Sequence, residues 1–179
     1  MPISFTPMDH PSPNHGERRG VARPDMVVLH YTGMQTAEAA LARLCDPGPE
    51  VSAHYLIAED GRLWRLVDET RRAWHAGVSR WGAITDVNSH SIGIELANPG
   101  HHLGYPPFPH PQMVVLEGLL AQILGRWSIP PERVVGHEHV APGRKIDPGE
   151  RFDWARLARH GLAAWPITPP VVDPNQPSP

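Results

Sequence analysis

The sequence predicts a single α/β domain in which one mixed central β-sheet is flanked by helices. Three observations carry this. Short apolar runs and amphipathic stretches alternate along the chain, instead of grouping into all strands and then all helices. The 179 residues suit one domain with a sizeable core. Hydrophobic residues make up 40% and charged residues 20%, the ordinary balance of a globular protein.

The elements follow in order. Residues 1–25 are polar and proline-rich and read as an arm that lies on the domain or leads into it disordered. "MVVLHYT" (26–32) is a short apolar run, a buried strand. "TAEAALARLC" (36–45) puts Ala37, Ala40, Leu41, Leu44 and Cys45 on one helical face, with Thr36 as N-cap. "SAHYLIAEDGRLWRLV" (52–67) reads as a hairpin turning at Glu59-Asp60-Gly61. "SIGIEL" (91–96) is a further strand. "PQMVVLEGLLAQILGRWS" (111–128) is the main helix, with Met113, Leu116, Leu120, Ile123, Leu124 and Trp127 on its stripe. "ERVVGHEHV" (132–140) reads as a strand running into an irregular loop, and "DWARLARHGL" (153–162) as a short helix capped by Asp153. The tail 166–179 is Pro-rich and reads as extended or disordered. The folded domain is therefore expected at 26–165.

Composition excludes some functions. The net charge of −3 is not the basic signature of a nucleic-acid binder. One cysteine, Cys45, allows no internal disulfide and fits a reducing compartment. No apolar leader core and no run of about 20 apolar residues is present. The expectation is a cytoplasmic protein with no membrane segment, or a periplasmic or envelope protein if an export signal has been removed. Nothing in the sequence fixes an oligomeric state. Histidine is the outlier, with 12 copies. Histidine suits metal binding and proton transfer near neutral pH.

Several polar side chains stand where a core strand would carry apolar ones. Alternation puts His30 on the face of Val28, opposite Val27 and Leu29. Glu95 shares its face with Ser91 and Gly93, and small neighbours leave space above a carboxylate. A solvent-facing strand side would explain Glu95 equally well. "GHEHVAPGRKIDPG" (136–149) is stiffened by Pro and Gly, yet holds two histidines, a lysine and two carboxylates. His137 and His139 are two apart, so in extended chain both face one side, as do Lys145 and Asp147. Read sharply, these are two histidines and a carboxylate around a catalytic zinc with an open fourth position. Read blandly, they are solvated loop residues, and spacing alone does not choose between the two.

The blocks "VVLHYT", "VSAHYLIAEDG", "AWHAG", "NSHSIGIEL" and "GHEHVAPGRKIDPGERFDW" occur in this order. Together they resemble the type 2 N-acetylmuramoyl-L-alanine amidases, zinc amidases related to the peptidoglycan recognition proteins. The resemblance runs from about Val27 to Trp154. It implies a mixed sheet with helices packed on it and a zinc site at one edge of the sheet. It implies one zinc per chain, held by His30, His137 and Asp147, with Glu95 and Lys145 as catalytic partners and His139 a bystander near the mouth. The implied substrate is a muropeptide or peptidoglycan, cut between N-acetylmuramic acid, or its anhydro form, and L-Ala of the stem peptide. Tyr31, Trp74, His75 and Asn88 are candidate substrate contacts; a packing role for Trp74 and His75, and a loop-holding role for Asn88, remain open beside this. The competing reading is a non-catalytic muropeptide-binding module. A two-metal hydrolase built on His137-x-His139 is a third, and it would need further ligands.

Overall fold

The arm is woven into the sheet. The computed structural model describes residues 6–165, so the tail at 166–179 lies outside the described residues. The strands are β1 (Met8–Asp9), β2 (His15–Gly16), β3 (Met26–Tyr31), β4 (Tyr55–Ile57), β5 (Leu63–Arg65), β6 (Arg72–Ala73), β7 (Ser91–Leu96) and β8 (Val134–Gly136). The helices are α1 (Ala37–Cys45), α2 (Val87–His90), α3 (His110–Trp127), α4 (His137–Val140) and α5 (Trp154–Arg159). Six strands form one sheet in the order β1-β5-β4-β7-β3-β8, and β2 pairs with β6 in a separate ribbon. β3 runs parallel to both β7 and β8, while β4 and β5 form the antiparallel hairpin. No helix among the described residues is long and apolar enough to cross a membrane.

Strand alternation sorts the side chains between the two faces of this sheet. Val27, Leu29, Ile92, Ile94 and Leu96 point to one face, where Met113, Leu116, Leu120 and Ile123 of α3 and Leu157 of α5 cover them. Burial of each such side chain stabilises by roughly 1.5–3 kcal/mol, which makes this the main core. The opposite face is covered in two patches. Ala37, Ala40 and Leu44 of α1 pack on Leu56, Ala58 and Trp64. Further along, Met26, Val28 and Val135 meet Ala76, Trp81, Val87 and Val140. His30 and Glu95 lie on this second face, where two partial covers leave a cleft.

Local chemistry ends the elements as the sequence indicates, with one exception. Thr36 Oγ1 accepts the Ala39 N–H at the start of α1, and Asp153 Oδ1 accepts the Arg156 N–H at the start of α5. Gly61 takes φ +91° in the hairpin turn, a conformation that favours glycine. The exception is 132–140. Only Val134–Gly136 is strand; a 3-10 turn precedes it and the helical turn α4 follows. The Ala141 N–H donates to the His137 carbonyl at 2.9 Å and the Glu138 N–H to the Asp147 carbonyl at 2.9 Å, which curls the chain as soon as β8 ends.

The arm reaches deep into the domain. The Ser12 hydroxyl donates to the Leu44 carbonyl, and the Asn14 amide donates to the carbonyls of Asp46 and Val51. The Arg18 guanidinium donates to the carbonyls of Ser89, Ser91 and Glu69. Residues 6–25 thus fasten the end of α1 and the start of β7.

Candidate metal centre

Parallel pairing of β3 with β7 sets His30 directly beside Glu95. Neighbouring strands lie about 4.8 Å apart, so the two side chains rise together from one face. α4 then returns His137 over the end of β3, and the turn after it delivers Asp147. His30 Nδ1 lies 3.0 Å from His137 Nδ1 and 3.1 Å from Asp147 Oδ2, and His137 Nδ1 lies 3.1 Å from the same oxygen. All three residues are buried.

The hydrogen-bond network fixes which atoms carry protons. Ser91 Oγ donates to the Val87 carbonyl at 2.6 Å, so towards His75 Nε2, at 3.1 Å, it acts as acceptor. His75 therefore donates from Nε2 and accepts at Nδ1, 3.0 Å from His30 Nε2. His30 in turn donates from Nε2, which leaves Nδ1 a bare lone pair in the neutral ring. His137 Nε2 donates to the Ala76 carbonyl at 2.9 Å, leaving its Nδ1 bare as well. Burial, and then the neighbouring His137, lower the His30 pKa to about 4, so the neutral ring is its form near pH 7.

Two lone pairs and a carboxylate oxygen thus converge with no proton between them. Such a set is unfavourable unless a cation occupies its centre. Tetrahedral ligands about 2.0–2.1 Å from one ion stand about 3.3 Å apart, close to the spacing here. His30, His137 and Asp147 form a group able to hold a metal ion.

The open side of this group faces a cavity of about 480 Å³, whose wall includes Tyr31, Trp74, His75, Glu95, His102 and Lys145. Glu95 Oε2 is buried and has no hydrogen-bond partner. Burial, then the negative charge of Asp147, raise the Glu95 pKa well above the ordinary carboxylate range, and Lys145 opposes this. Glu95 thus brings a carboxyl group with a raised proton affinity to the wall of the cavity that His30, His137 and Asp147 also line.

The structure gathers most of the sequence candidates here and sets others apart. Tyr31, Trp74 and His75 border the cavity. Asn88 does not: it is buried, and its Oδ1 accepts the His75 and Ala76 N–H groups at 3.1 and 2.8 Å. It holds a loop rather than facing the cavity. His139 is not at the mouth, because α4 is helical and the extended-chain spacing fails. Its Nδ1 accepts the Gly136 N–H and its ring packs edge-on to Trp154. His54 is a buried structural histidine whose Nδ1 accepts the Gly93 N–H. His101 is held between Tyr31 and Glu150 and stacked on Tyr105. Arg144 was not singled out by the sequence. It donates to the carbonyls of Ala76 and Val78, bracing the loop behind His137, and a lone Arg in a polar loop gives no signal of that.

A family model described as N-acetylmuramoyl-L-alanine amidase matches residues 20–150. The amidase AmiD of Escherichia coli K12 is 41% identical over 79% of this chain and 54% of its own length. The 1,6-anhydro-N-acetylmuramyl-L-alanine amidase AmpD of Enterobacter cloacae is 32% identical over 82% of this chain and 86% of its own. A solved structure of E. coli AmiD with the substrate anhydro-N-acetylmuramic acid-L-Ala-D-gamma-Glu-L-Lys superposes with a TM-score of 0.73 at 40% identity, covering 84% of this chain and 63% of that one. The chain thus spans about half the length of the first of these relatives. On the family match and these identities, the chain belongs to the N-acetylmuramoyl-L-alanine amidase family.

Proposed function

We propose that this chain is a zinc-dependent N-acetylmuramoyl-L-alanine amidase, with residues 26–165 as its catalytic domain. The observation that carries the reading is the convergence of His30, His137 and Asp147 beside the unpartnered Glu95 oxygen. Two neutral imidazoles and a carboxylate suit zinc, and three protein ligands leave one position open. The chemistry that the bound ion supplies is Lewis acidity towards water and an amide carbonyl.

This chain's residues do the rest. Glu95 takes a proton from the attacking water on its cavity side and passes it to the leaving nitrogen. The water oxygen bonds to the carbonyl carbon as the C–N bond breaks, and L-Ala leaves with a free amine. Lys145, on the cavity wall, donates to the oxygen that gains negative charge. Tyr31 and Trp74 offer aromatic faces to the sugar or peptide. The substrate is a muropeptide or peptidoglycan, as the anhydro-muramyl peptide bound to AmiD supports.

The test is a mass-spectrometric digest. Zinc-loaded protein is incubated with an anhydro-muropeptide and, separately, with sacculi, with and without chelator. Chelator-sensitive release of peptide beginning at L-Ala is expected. Bound zinc with no peptide released from either substrate would refute the reading and favour a binding module.

A further inference from the structure

We propose that the His75–Ala76 segment is the positioning element of the metal site, setting from behind the tautomer and aim of both histidine ligands. The inference rests on the zinc reading above and extends it to residues that touch neither metal nor reacting atoms. His75 accepts from His30 through its side chain, and Ala76 accepts from His137 through its carbonyl. Consecutive residues of one loop thus hold the back of each imidazole while both Nδ1 atoms point to Asp147.

The loop is itself fixed. One side-chain oxygen, Asn88 Oδ1, accepts the N–H groups of both His75 and Ala76. The far nitrogen of His75 donates to Ser91, whose hydroxyl ends on the Val87 carbonyl. Every donor in this chain has one acceptor, and the last acceptor is a backbone carbonyl that cannot reverse. The direction of the whole chain, from His30 to Val87, is therefore set by the backbone of α2.

The imidazole of His75 also has a seat built for it. A Cβ on Gly93 would stand 2.4 Å from His75 Cγ and 2.5 Å from Cδ2. The His75 ring meets the His30 ring edge-on, with centroids 5.1 Å apart and an interplanar angle of 81°. This edge-on arrangement brings Nδ1 of one ring to Nε2 of the other. A ligand histidine oriented through its second nitrogen binds metal better, and losing such a partner commonly costs about 10–100-fold in affinity.

The experiment measures the zinc dissociation constant of the full chain by competition with a chelator, alongside kcat and KM of the zinc-saturated enzyme. His75→Phe keeps a ring in the seat but removes the acceptor. His75→Asn loses the ring but presents an oxygen near the place of Nδ1. Zinc affinity is expected to fall about 10–100-fold in His75→Phe and to recover most of that loss in His75→Asn. Ser91→Ala, a small change at a buried site, frees the tautomer of His75 and is expected to weaken zinc several-fold. It decides the matter if His75→Phe does not fold. Unchanged zinc affinity in His75→Phe with a raised KM would make His75 a substrate contact and overturn the inference. So would unchanged affinity in Ser91→Ala, or His75→Asn as weak as His75→Phe, which would mean packing alone. Wild-type protein that binds no zinc would overturn the zinc reading itself, an outcome distinct from all of these.

Discussion

Replacing Gly93 with Ala tests the back of the site most sharply. Gly93 lies inside β7, on the face of Glu95, where a small residue leaves space above the carboxylate. The structure gives that room to His75. An added methyl would sit 2.4 Å from His75 Cγ and 2.7 Å from its Nδ1. Ordinary contact needs about 3.5–4.0 Å, so the ring must retreat by more than 1 Å. The 3.0 Å contact between His75 Nδ1 and His30 Nε2 would then open past hydrogen-bonding range. Overpacking of this kind costs about 1–3 kcal/mol. At about 2–4 °C per kcal/mol for a chain of this size, Tm should fall by about 2–12 °C. Calorimetry of Gly93→Ala, His75→Ala and the double variant forms a cycle. Stability lost in Gly93→Ala should return largely in the double variant, since the clashing ring is gone. Zinc affinity should not return, because the acceptor for His30 is gone too. A Gly93→Ala protein with wild-type Tm and zinc affinity, and only a raised KM, would refute the reasoning and give that space to substrate.

Other perturbations separate the remaining roles. Glu95→Gln should retain zinc, since Glu95 is outside the ligand triad, but lower kcat by about 10²–10⁴; a rate near wild type would remove Glu95 as the proton carrier. Lys145→Ala should lower kcat/KM by about 10²–10³ through the lost oxyanion donor, and an effect confined to KM would make it a binding group instead. Burial lowers the His54 pKa to about 3, so below about pH 6.5 the unfolded chain binds a proton that the folded chain refuses. Stability should therefore fall as pH drops from about 6.5 towards 3, by up to about 1.4 kcal/mol per pH unit from this residue. His54→Asn keeps an acceptor for the Gly93 N–H but does not titrate. Urea midpoints at pH 6 and pH 4 should converge in that variant relative to wild type, and an unchanged gap would contradict the assignment.

How far the sequence carried depends on the kind of signal. Alternation set His30 and Glu95 off the apolar face, because a strand admits only two faces and the apolar residues claim one, but it left open whether the other face was a site or plain solvent. That the two are neighbours depends on the His30–Glu95 register, which no local pattern encodes. The stripe of α3 was readable because 18 residues give several turns of period. The arm was not, because β1 and β2 are two residues each and cannot show a period. Its role is carried by single side chains such as Asn14 and Arg18, which look like any polar residue in a Pro-rich stretch. The helical turn at 137–140 was missed for a related reason. Its Gly136 start and the nearby Pro and Gly signal a loop, and four helical residues fall below what patterning resolves. The family resemblance singles out His137, while extended spacing points equally to His139.

The polar loop after β8 is stiff because it must hold two groups against a third that repels them. Of the three residues able to hold a metal ion, His30 lies on a strand, but His137 and Asp147 are 107 and 117 residues away from it in sequence. A flexible loop would let the two imidazole lone pairs and the carboxylate drift apart, since nothing but repulsion acts between bare acceptors. The segment prevents this with backbone contacts that do not depend on the ligand atoms. The Glu138 N–H donates to the Asp147 carbonyl, the Lys145 N–H to the Ala141 carbonyl, and the Tyr105 hydroxyl to the Pro148 carbonyl. These contacts fix the backbone of the 137–148 loop, while the His75–Ala76 segment fixes the imidazoles from behind. The repulsion is thereby held in place by two independent braces, and a cation that binds there relieves it without first having to order the loop.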